Sequence, residues 1–526
     1  MNISTEKKDR RRWFGLFFIA LGVSMIIVDA TIVNVAIPSI IRDLKISSSQ
    51  AQWIQETYTL VFASTLLVFG RLADRFGRRN MFTLGAIIFV GSSVLAAVAS
   101  SGDLLIAARL VQGLGGAAML PTSLSIINST FFGKERGIAF AIWGSTIGGT
   151  AALGPLLGGW LTTDFTWRWA FGINVPLGLA VIIGLWLFVK ESKGEGEAGA
   201  DYVGAIISIL AMGSIVFGLI EGRNYGWWSS LGSHVIGGFH WNYSLSPIPF
   251  SFLIGIIAIF IFIRIQGQRN IQGKPVLLDL SLFKIKSFRN ANIAAAIVSL
   301  GEFGLIFSLP LWLQNVLGYS AFGTGLILLA LAIGSFVASG AGGPLGAKRG
   351  PIFVVRTGIL LEFIGVAGIG LVVSPHTKVW TIIIPLFVYG MGVGLATAQL
   401  TGVVLAEVPV EKSGQASGTA STFRQLGSAL GIAILGTVLF ATLGSGLNHK
   451  LEQIPAVTQS QRSELTRSVV SSAGGVIPAF KSNPATASIA TAASESFSSS
   501  SKWAALVASL FLLFGFGATR SLKEPE

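Results

Sequence analysis

The stretch "GRLADRFGRR", residues 70–79, returns in a weaker form as "GGPLGAKRGP", residues 343–352. When the two stretches are aligned without gaps, Gly77 falls on Gly350 and the opening glycines also coincide. Each copy is a short basic segment that lies between two long apolar runs. The duplication therefore predicts a chain that is built from two similar units.

The duplication extends beyond this basic segment. Gly137 in the first unit matches Gly414 in the second, and Gly154 matches Gly431. We interpret the pattern as a parallel repeat of two six-helix units, with two further helices inserted between them. Repeats of this kind place a ligand site at the interface between the units, near the middle of a membrane.

The composition is that of a membrane protein. Hydrophobic residues make up 52% of the 526 residues and charged residues only 12%, about half the charged share of a soluble domain. Fourteen apolar runs of about 18 residues or more are each long enough to cross a bilayer. They begin near residues 14, 51, 81, 103, 138, 169, 202, 249, 290, 323, 352, 379, 415 and 502. The predicted fold class is an all-α polytopic membrane protein with fourteen transmembrane helices.

The formal net charge is +13, and the basic residues are unevenly distributed between the two predicted sides of the membrane. If the amino terminus lies inside, about two thirds of the 37 Lys and Arg residues fall in inner segments. This bias predicts that both termini are cytoplasmic, and it offers no basic groove for nucleic acid. The chain has no cysteine, and its four histidines lack the spacing of a metal site, so we expect neither thiol chemistry nor a bound metal.

The same pattern predicts five parts along the chain. These are a cytoplasmic N-terminus at 1–13, an N-terminal six-helix bundle at 14–190, two inserted transmembrane helices with an inner linker at 191–289, a C-terminal six-helix bundle at 290–520 that includes an outer loop at 444–501, and a cytoplasmic tail at 521–526.

Three charged residues are predicted to lie within apolar runs of the first unit, at similar depth. Asp29 should sit roughly 8 Å from the outer side, at 1.5 Å per residue, and Glu56 and Arg109 at about the same level. A carboxylate inside a membrane is costly, which makes it a functional candidate. We expect Arg109 to hold Asp29 or Glu56 while the other carboxylate titrates, although a purely structural ion pair is the alternative.

Six motifs carry a family resemblance. They are "VDATIVNVAIP", "GRLADRFGRR", "RLVQGLGGAAMLP", "GPLLGGWL", "WRWAFGINVPLG" and "SGQASGTASTFRQLGSALG". Their order over nearly the whole chain resembles the major facilitator superfamily, within it the fourteen-spanner drug:proton antiporter group. The resemblance implies the major facilitator fold and a multi-pass transporter of a bacterial plasma membrane, not an enzyme. It implies no cofactor, a monomer, and small amphipathic molecules, protons and the lipid bilayer as partners.

The family resemblance favours a gating role for the basic loop. Asp74 is acidic where an inner anchor needs no acid, so we expect its partner to be an arginine or a helix amino terminus. A loop that only sets the topology is the simpler alternative. The second copy has Ala347 at this position, so its latch should be weaker or absent. The predicted gating residues, including the glycine-rich fifth span, are Gly70, Asp74, Arg75, Gly77, Arg78, Gly154, Pro155, Gly158 and Gly159.

The repeat also pairs Asp29 with Glu302 in the second unit. We weigh two hypotheses for Glu302: a sensor of substrate charge, or a structural partner of Arg424. Glu362 is another possible structural partner of Arg424. The predicted substrate-binding residues are Glu302, Gln112, Tyr58, Phe303, Phe307, Trp312, Tyr389 and Asn34.

The resulting expectation is a proton-coupled secondary active exporter of amphipathic, cationic drugs or toxic compounds. Protonation of a buried carboxylate removes its attraction for a cation, so protons and substrate can displace each other. The alternative is an uncoupled or differently coupled flippase or facilitator for a lipid or metabolite, with the same fold.

Overall fold

The computed structural model describes residues 3–46, 48–150, 153–194, 201–232, 234–236, 239–455 and 457–522. These ranges are helical almost throughout, with one short antiparallel hairpin between β1 (His234–Ile236) and β2 (Phe239–Trp241). Helices are what long apolar runs must form in a bilayer, because each backbone N–H and C=O has to be satisfied within its own segment.

The first unit contains eight helices in the described ranges, and its fifth and sixth helices lie on either side of residues 151–152. They are α1 (Ile3–Leu44), α2 (Ser48–Phe76), α3 (Arg78–Ala97), α4 (Gly102–Thr130), α5 (Gly133–Thr150), α6 (Leu153–Asp164), α7 (Trp169–Gly172) and α8 (Asn174–Phe188). Gly154 and Pro155, two of the predicted gating residues, lie next to this junction, and the side chain of Pro155 lies outside those that the structure describes.

Two helices follow the first unit and pack against each other. They are α9 (Tyr202–Tyr225) and α10 (Ile248–Ile271), and the hairpin of β1 and β2 lies between them in the chain. Helix α9 also contacts α2 and α15, so the inserted pair covers the side on which the two units meet.

The second unit contains α11 (Lys286–Asn315), α12 (Ala321–Arg349), α13 (Pro351–Val372), α14 (Val379–Leu405), α15 (Ser413–Glu452), α16 (Gln459–Ser471), α17 (Ile477–Ser482) and α18 (Ala487–Ala518). The predicted outer loop at 444–501 is largely helical. It consists of extensions of α15 and α18 with α16 and α17 between them. A buried cluster that includes Leu447, Val469 and Phe497 holds this outer part together.

Twelve helices in the described ranges are long and apolar enough to span a membrane. The two remaining predicted spans correspond to α2 and to α5 with α6, which are helical but are not among the twelve. Polar residues such as Glu56 and Arg71 interrupt the apolar run of α2, and α5 and α6 are each short. The observed architecture is therefore an all-helical protein with twelve candidate spans.

The backbone repeats where the sequence repeats. Gly77 ends α2 and precedes α3 with φ of 104°, and Gly350 ends α12 and precedes α13 with φ of 87°. Both angles lie in the left-handed region, which glycine adopts without steric cost. The two basic loops therefore turn in the same way.

Helices of the two units meet along two lines. The first seam is the contact of α2 with α15, where a Cβ atom on Gly70 would lie 2.4 Å from the carbonyl oxygen of Gly414. The second seam is the contact of α5 and α6 with α12, where a Cβ atom on Gly159 would lie 3.2 Å from the backbone nitrogen of Phe322. Backbones approach this closely only where one side has no side chain.

Candidate functional site

A buried ion pair lies inside the first unit, between α1 and α4. Arg109 donates from Nη1 to Oδ2 of Asp29 at 2.5 Å, and both side chains are at most 1% exposed. The contact is the one that their shared depth predicts. It makes a carboxylate tolerable in an apolar interior, because removing either partner would leave the other charge buried and unpaired.

Amide donors complete the shell around Asp29. Its Oδ1 accepts hydrogen bonds from Gln112 Nε2 and Asn174 Nδ2, both at 2.8 Å. Both amide groups also donate to Ser93 Oγ, which itself donates to the carbonyl oxygen of Phe89. Four helices, α1, α3, α4 and α8, thus contribute to one network, which we call the Asp29 network.

The guanidinium of Arg109 is held in a fixed orientation. Its Nε donates to the carbonyl oxygen of Ile54 at 3.1 Å, and Nη1 donates to Gln112 Oε1 at 2.5 Å. The ring of Tyr58 lies 4.2 Å from the guanidinium carbon, in cation–π geometry. Tyr58 and Gln112, predicted as substrate-binding residues, therefore contact the ion pair itself.

Glu56 has a different electrostatic environment from Asp29. The ion pair that Arg109 forms in the described part of the chain is with Asp29, whereas the charge of Glu56 acts on Arg223 and Tyr225 of the inserted helix α9.

A second group of buried charges lies in the second unit. Glu302 on α11 is 3% exposed, and its Oε1 accepts a hydrogen bond from Thr397 Oγ1 at 3.3 Å. Arg424 on α15 donates to Thr401 Oγ1 at 3.4 Å and forms no direct ion pair with a carboxylate among the described residues. Its charge nevertheless acts on Glu302 through space.

Glu362 on α13 completes this group, which we call the Glu302 cluster: Glu302, Glu362 and Arg424. Its side chain is 0% exposed, and neither carboxylate oxygen has a hydrogen-bond partner in the part of the chain that the structure describes. Helix α14 passes directly beside it, since a Cβ atom on Gly392 would lie 2.6 Å from its Cγ. The cluster has two carboxylates for one guanidinium, whereas Asp29 and Arg109 balance each other.

The predicted aromatic residues are buried to different degrees. Trp312 is 0% exposed and donates its Nε1–H to Ser498 Oγ at 3.0 Å, so it contacts α18. Tyr389 is also 0% exposed and donates to the carbonyl oxygen of Glu302 at 3.3 Å. Phe303 and Phe307 are half-buried and remain candidates for contact with a ligand. The side chain of Asn34 lies outside those that the structure describes.

Asp74 joins the two units at the end of the first seam that the sequence predicts to lie on the inner side. Its Oδ1 and Oδ2 accept hydrogen bonds from the backbone N–H groups of Gly414 and Gln415 at 2.8 and 2.9 Å. Arg78 donates to Oδ1 at 3.0 Å and also to the carbonyl oxygen of Val410. Both partners that the sequence suggested, an arginine and a helix amino terminus, are present.

The Asp74 carboxylate needs several hydrogen-bond donors because it is buried. Burial raises the pKa of the Asp74 carboxyl, while Arg78 and the N–H groups of Gln415 and Gly414 act in the opposite direction. A carboxylate at the N-terminus of α15 is also favoured by the helix dipole. We call this contact the inner latch.

Neighbouring residues support the inner latch. Glu191 accepts hydrogen bonds from the backbone N–H groups of Arg79 and Asn80, and a Cβ atom on Gly77 would lie 2.5 Å from its carboxylate carbon. Asn128 on α4 adds a second bond between the units, from its Nδ2 to Ser413 Oγ at 2.7 Å. Sequence reasoning missed Asn128, Ser93 and Asn174, although each is a polar residue within an apolar run.

Two glycines predicted to act in gating lie against α1. A Cβ atom on Gly154 would lie 1.8 Å from Thr31 Oγ1, and one on Gly158 would lie 3.0 Å from the side chain of Ile32. These glycines let α6 contact α1 within three residues of Asp29. Arg75, also predicted, lies with its guanidinium carbon 5.1 Å from the ring centroid of Phe76.

A helical bundle of two units with twelve candidate spans is the architecture of a multi-pass membrane protein. The sequence profile of the Major Facilitator Superfamily matches residues 13–432. The chain belongs to this superfamily, and it is a transporter of the plasma membrane and not an enzyme.

Similar proteins agree with this assignment. The chain is 33% identical over 448 residues to the "Probable actinorhodin transporter" of Streptomyces coelicolor, which covers 83% of this chain and 74% of that protein. It is 32% identical over 446 residues to the "Multidrug efflux pump LfrA" of Mycolicibacterium smegmatis, with 85% and 84% covered. The relatives are thus drug and antibiotic transporters.

A solved structure supports the fold. The crystal structure of the human organic anion transporter MFSD10 (TETRAN) aligns with a TM-score of 0.58 at 13% identity. The alignment covers 97% of this chain and 99% of that one.

The inner latch generates a prediction about access. Asp74→Asn should open the inner end of the first seam, because an amide loses the charge-assisted hydrogen bonds from Arg78 and α15, each worth about 1.5–3 kcal/mol. Since the chain has no native cysteine, Ser417→Cys provides a single reporter, and its side chain is buried. Its maleimide labelling from the inner side should be about tenfold faster with Asp74→Asn.

Asp43→Asn is the matched control, because Asp43 pairs with Arg168 at 2.6 Å on an exposed surface away from α15. It should leave the labelling rate of Ser417→Cys unchanged. Equal labelling rates with and without Asp74→Asn would contradict the inner latch.

Proposed function

We propose that the protein is a proton-coupled secondary active exporter of amphipathic, cationic compounds that works by alternating access. The observation that carries this proposal is the buried carboxylate of Asp29, held by Arg109 and by two amide donors. A carboxylate in this setting can exist as a paired anion or as a neutral acid, and a proton gradient can bias that choice. The drug-transporting relatives support the substrate class.

The change of charge when Asp29 binds or releases a proton would set the direction of exchange. A proton that enters from outside and binds Asp29 neutralises it, which leaves Arg109 as an uncompensated positive charge. That charge repels a cationic substrate and favours its release to the outside. When the proton leaves to the inner side, the ion pair forms again and a cation is tolerated. Proton and substrate therefore exclude each other.

The Glu302 cluster supplies a second proton in this proposal. Two buried carboxylates share one guanidinium, and burying an unpaired carboxylate is costly, so we assign one proton to Glu302 and Glu362 together. One proton exchanged for one monovalent cation moves no net charge. A second proton adds the electrical term, about 2.3 kcal/mol per charge across 100 mV.

The proposed topology has fourteen spans and two cytoplasmic termini. The positive-inside bias and the helical character of α2, α5 and α6 support it. Two six-helix bundles at 14–190 and 290–520 would rock about the two seams, with the inserted pair at 191–289 at their side. We propose that one copy of the chain is sufficient for transport, because the seams and both charged groups lie within it.

Transport into inside-out vesicles tests the function. Labelled cationic, neutral and anionic amphiphiles are compared with and without an imposed proton gradient, and in the presence of an uncoupler. The proposal expects gradient-driven uptake of the cation that the uncoupler abolishes. Uptake that is insensitive to the uncoupler would instead support an uncoupled flippase or facilitator.

Asp29→Asn tests the proton site within that assay. The amide keeps the shape of the side chain but cannot titrate, so gradient-driven uptake should be lost while the protein remains inserted in the membrane. Asp43→Asn, which removes an exposed carboxylate from the same helix, should retain uptake. Full gradient-driven transport by Asp29→Asn would refute the assignment of Asp29.

Glu302→Gln separates the two hypotheses for the second unit. If Glu302 senses substrate charge, the variant should lose uptake of cationic amphiphiles and keep uptake of neutral ones. Uniform loss together with a lower Tm of the purified protein would indicate a structural role. Glu362→Gln is the comparison, because Glu362 belongs to the same cluster and is equally buried.

A further inference from the structure

The repeat places two equivalent contacts at the inner ends of the two seams. In the first seam, Asp74 on α2 meets the N-terminus of α15 at Gly414. By the same repeat, Ala347 on α12 should meet the N-terminus of α5 at Gly137. The second contact therefore has the same helix terminus but no carboxylate.

At the second seam, an open cavity lies where the first seam has the Asp74 carboxylate. A Cβ atom on Gly414 would lie 2.5 Å from the Asp74 carboxylate, whereas one on Gly137 would meet no atom within 4 Å. A cavity of about 320 Å³ occupies this place. Its lining includes Gly133, Lys134, Arg136, Gly137, Ala347 and Gln399.

The lining carries unbalanced positive charge. Arg136 is partly buried, and burial lowers its pKa, yet its contact is a hydrogen bond to Asn128 Oδ1 at 3.4 Å. Neither Lys134 nor Arg136 forms an ion pair with a carboxylate among the described residues. The acid in the same helical turn, Glu135, is neutralised by Arg12 at 2.7 Å. The start of an α-helix adds N–H groups that favour an anion.

A buried donor also faces this cavity. Gln399 on α14 is 5% exposed, and its Nε2 has no hydrogen-bond partner in the part of the chain that the structure describes. A buried N–H without an acceptor is unfavourable, so the site is short of an acceptor as well as of negative charge. An oxyanion would supply both.

We propose that this cavity binds a phosphate-type anion, either the headgroup of an anionic lipid in the inner leaflet or free phosphate. The bound anion would do at the second seam what the Asp74 carboxylate does at the first, accepting hydrogen bonds from one unit while it contacts the other. Anion binding would thus favour the state in which the inner side is closed. This inference rests on the inner latch and not on proton coupling.

Distance measurements in lipid nanodiscs test the proposal. Spin labels are attached to Asn80→Cys and Glu407→Cys, at exposed inner positions of the two units in a chain without native cysteine. The ratio of short to long distances is compared in phosphatidylcholine alone, in phosphatidylcholine with phosphatidylglycerol, and in phosphatidylcholine with inorganic phosphate at constant ionic strength. An anion should raise the ratio about fivefold, the lower end of typical coupling between sites.

Three variants make the test specific. Lys134→Gln with Arg136→Gln should abolish the response to anions. Lys284→Gln with Lys286→Gln removes the same charge at an inner segment outside this cavity and should retain it. Ala347→Asp places a carboxylate where the first unit has Asp74, so it should show the short distance without any anion and respond to none.

The pattern of responses identifies the anion or overturns the proposal. A response to phosphatidylglycerol alone supports a lipid headgroup, and a response to both anions supports free phosphate as a ligand. The proposal would be overturned if the unmodified protein responded to neither anion. It would also be overturned if Ala347→Asp responded to anions as the unmodified protein does. Both outcomes can be read even if the Lys134 and Arg136 variant fails to fold. The measurement uses neither substrate nor gradient, so a failure of proton-driven export would leave its result intact.

Discussion

The rest of the structure depends on one constraint, the cost of a charge in an interior that water does not reach. Asp29 meets that constraint with three hydrogen-bond donors, Arg109, Gln112 and Asn174, and Ser93 accepts hydrogen bonds from both amides. Because these partners come from α3, α4 and α8, the state of one carboxylate is coupled to the packing of much of the first unit. In the proposed mechanism, a proton on Asp29 would therefore act on the whole first unit and not on a single side chain.

The two units differ in how their buried charges are paired. The first holds one acid and one base in contact, and the second holds two acids and a base without a direct ion pair among its described residues. In the first unit, protonation breaks an existing contact. In the second, a cation could supply charge that is missing. In the proposed mechanism, Asp29 binds a proton in the first unit, while the Glu302 cluster carries one proton and also meets the charge of the ligand.

Much of this arrangement could be predicted from sequence because its causes are local. Apolar run length predicts the helices, the duplicated loop predicts Gly77 and Gly350 at equivalent turns, and a lone acid beside arginines predicts a donor partner for Asp74. The sequence signal for fourteen spans is weak at two places, because polar residues interrupt the apolar run of α2 and because α5 and α6 are each short.

What sequence could not give is the direction in which each helix faces. Depth alone does not show that the charge of Glu56 acts on Arg223 of an inserted helix. Nor does it show that Trp312 donates a hydrogen bond to Ser498 on α18. Asn174 and Ser93 join the Asp29 network from helices that carry no charge at that depth. Such contacts depend on how helices rotate and cross, which periodicity does not determine.

The most direct test of competition between protons and substrate uses the purified protein in a weakly buffered solution. Binding of a permanent cation such as tetraphenylphosphonium is measured together with the release of protons, across a range of pH values. If both compete for buried carboxylates, cation binding releases protons and the apparent affinity falls as the pH is lowered, because the two effects are linked. An affinity that does not change with pH, with no proton released on binding, would contradict the account.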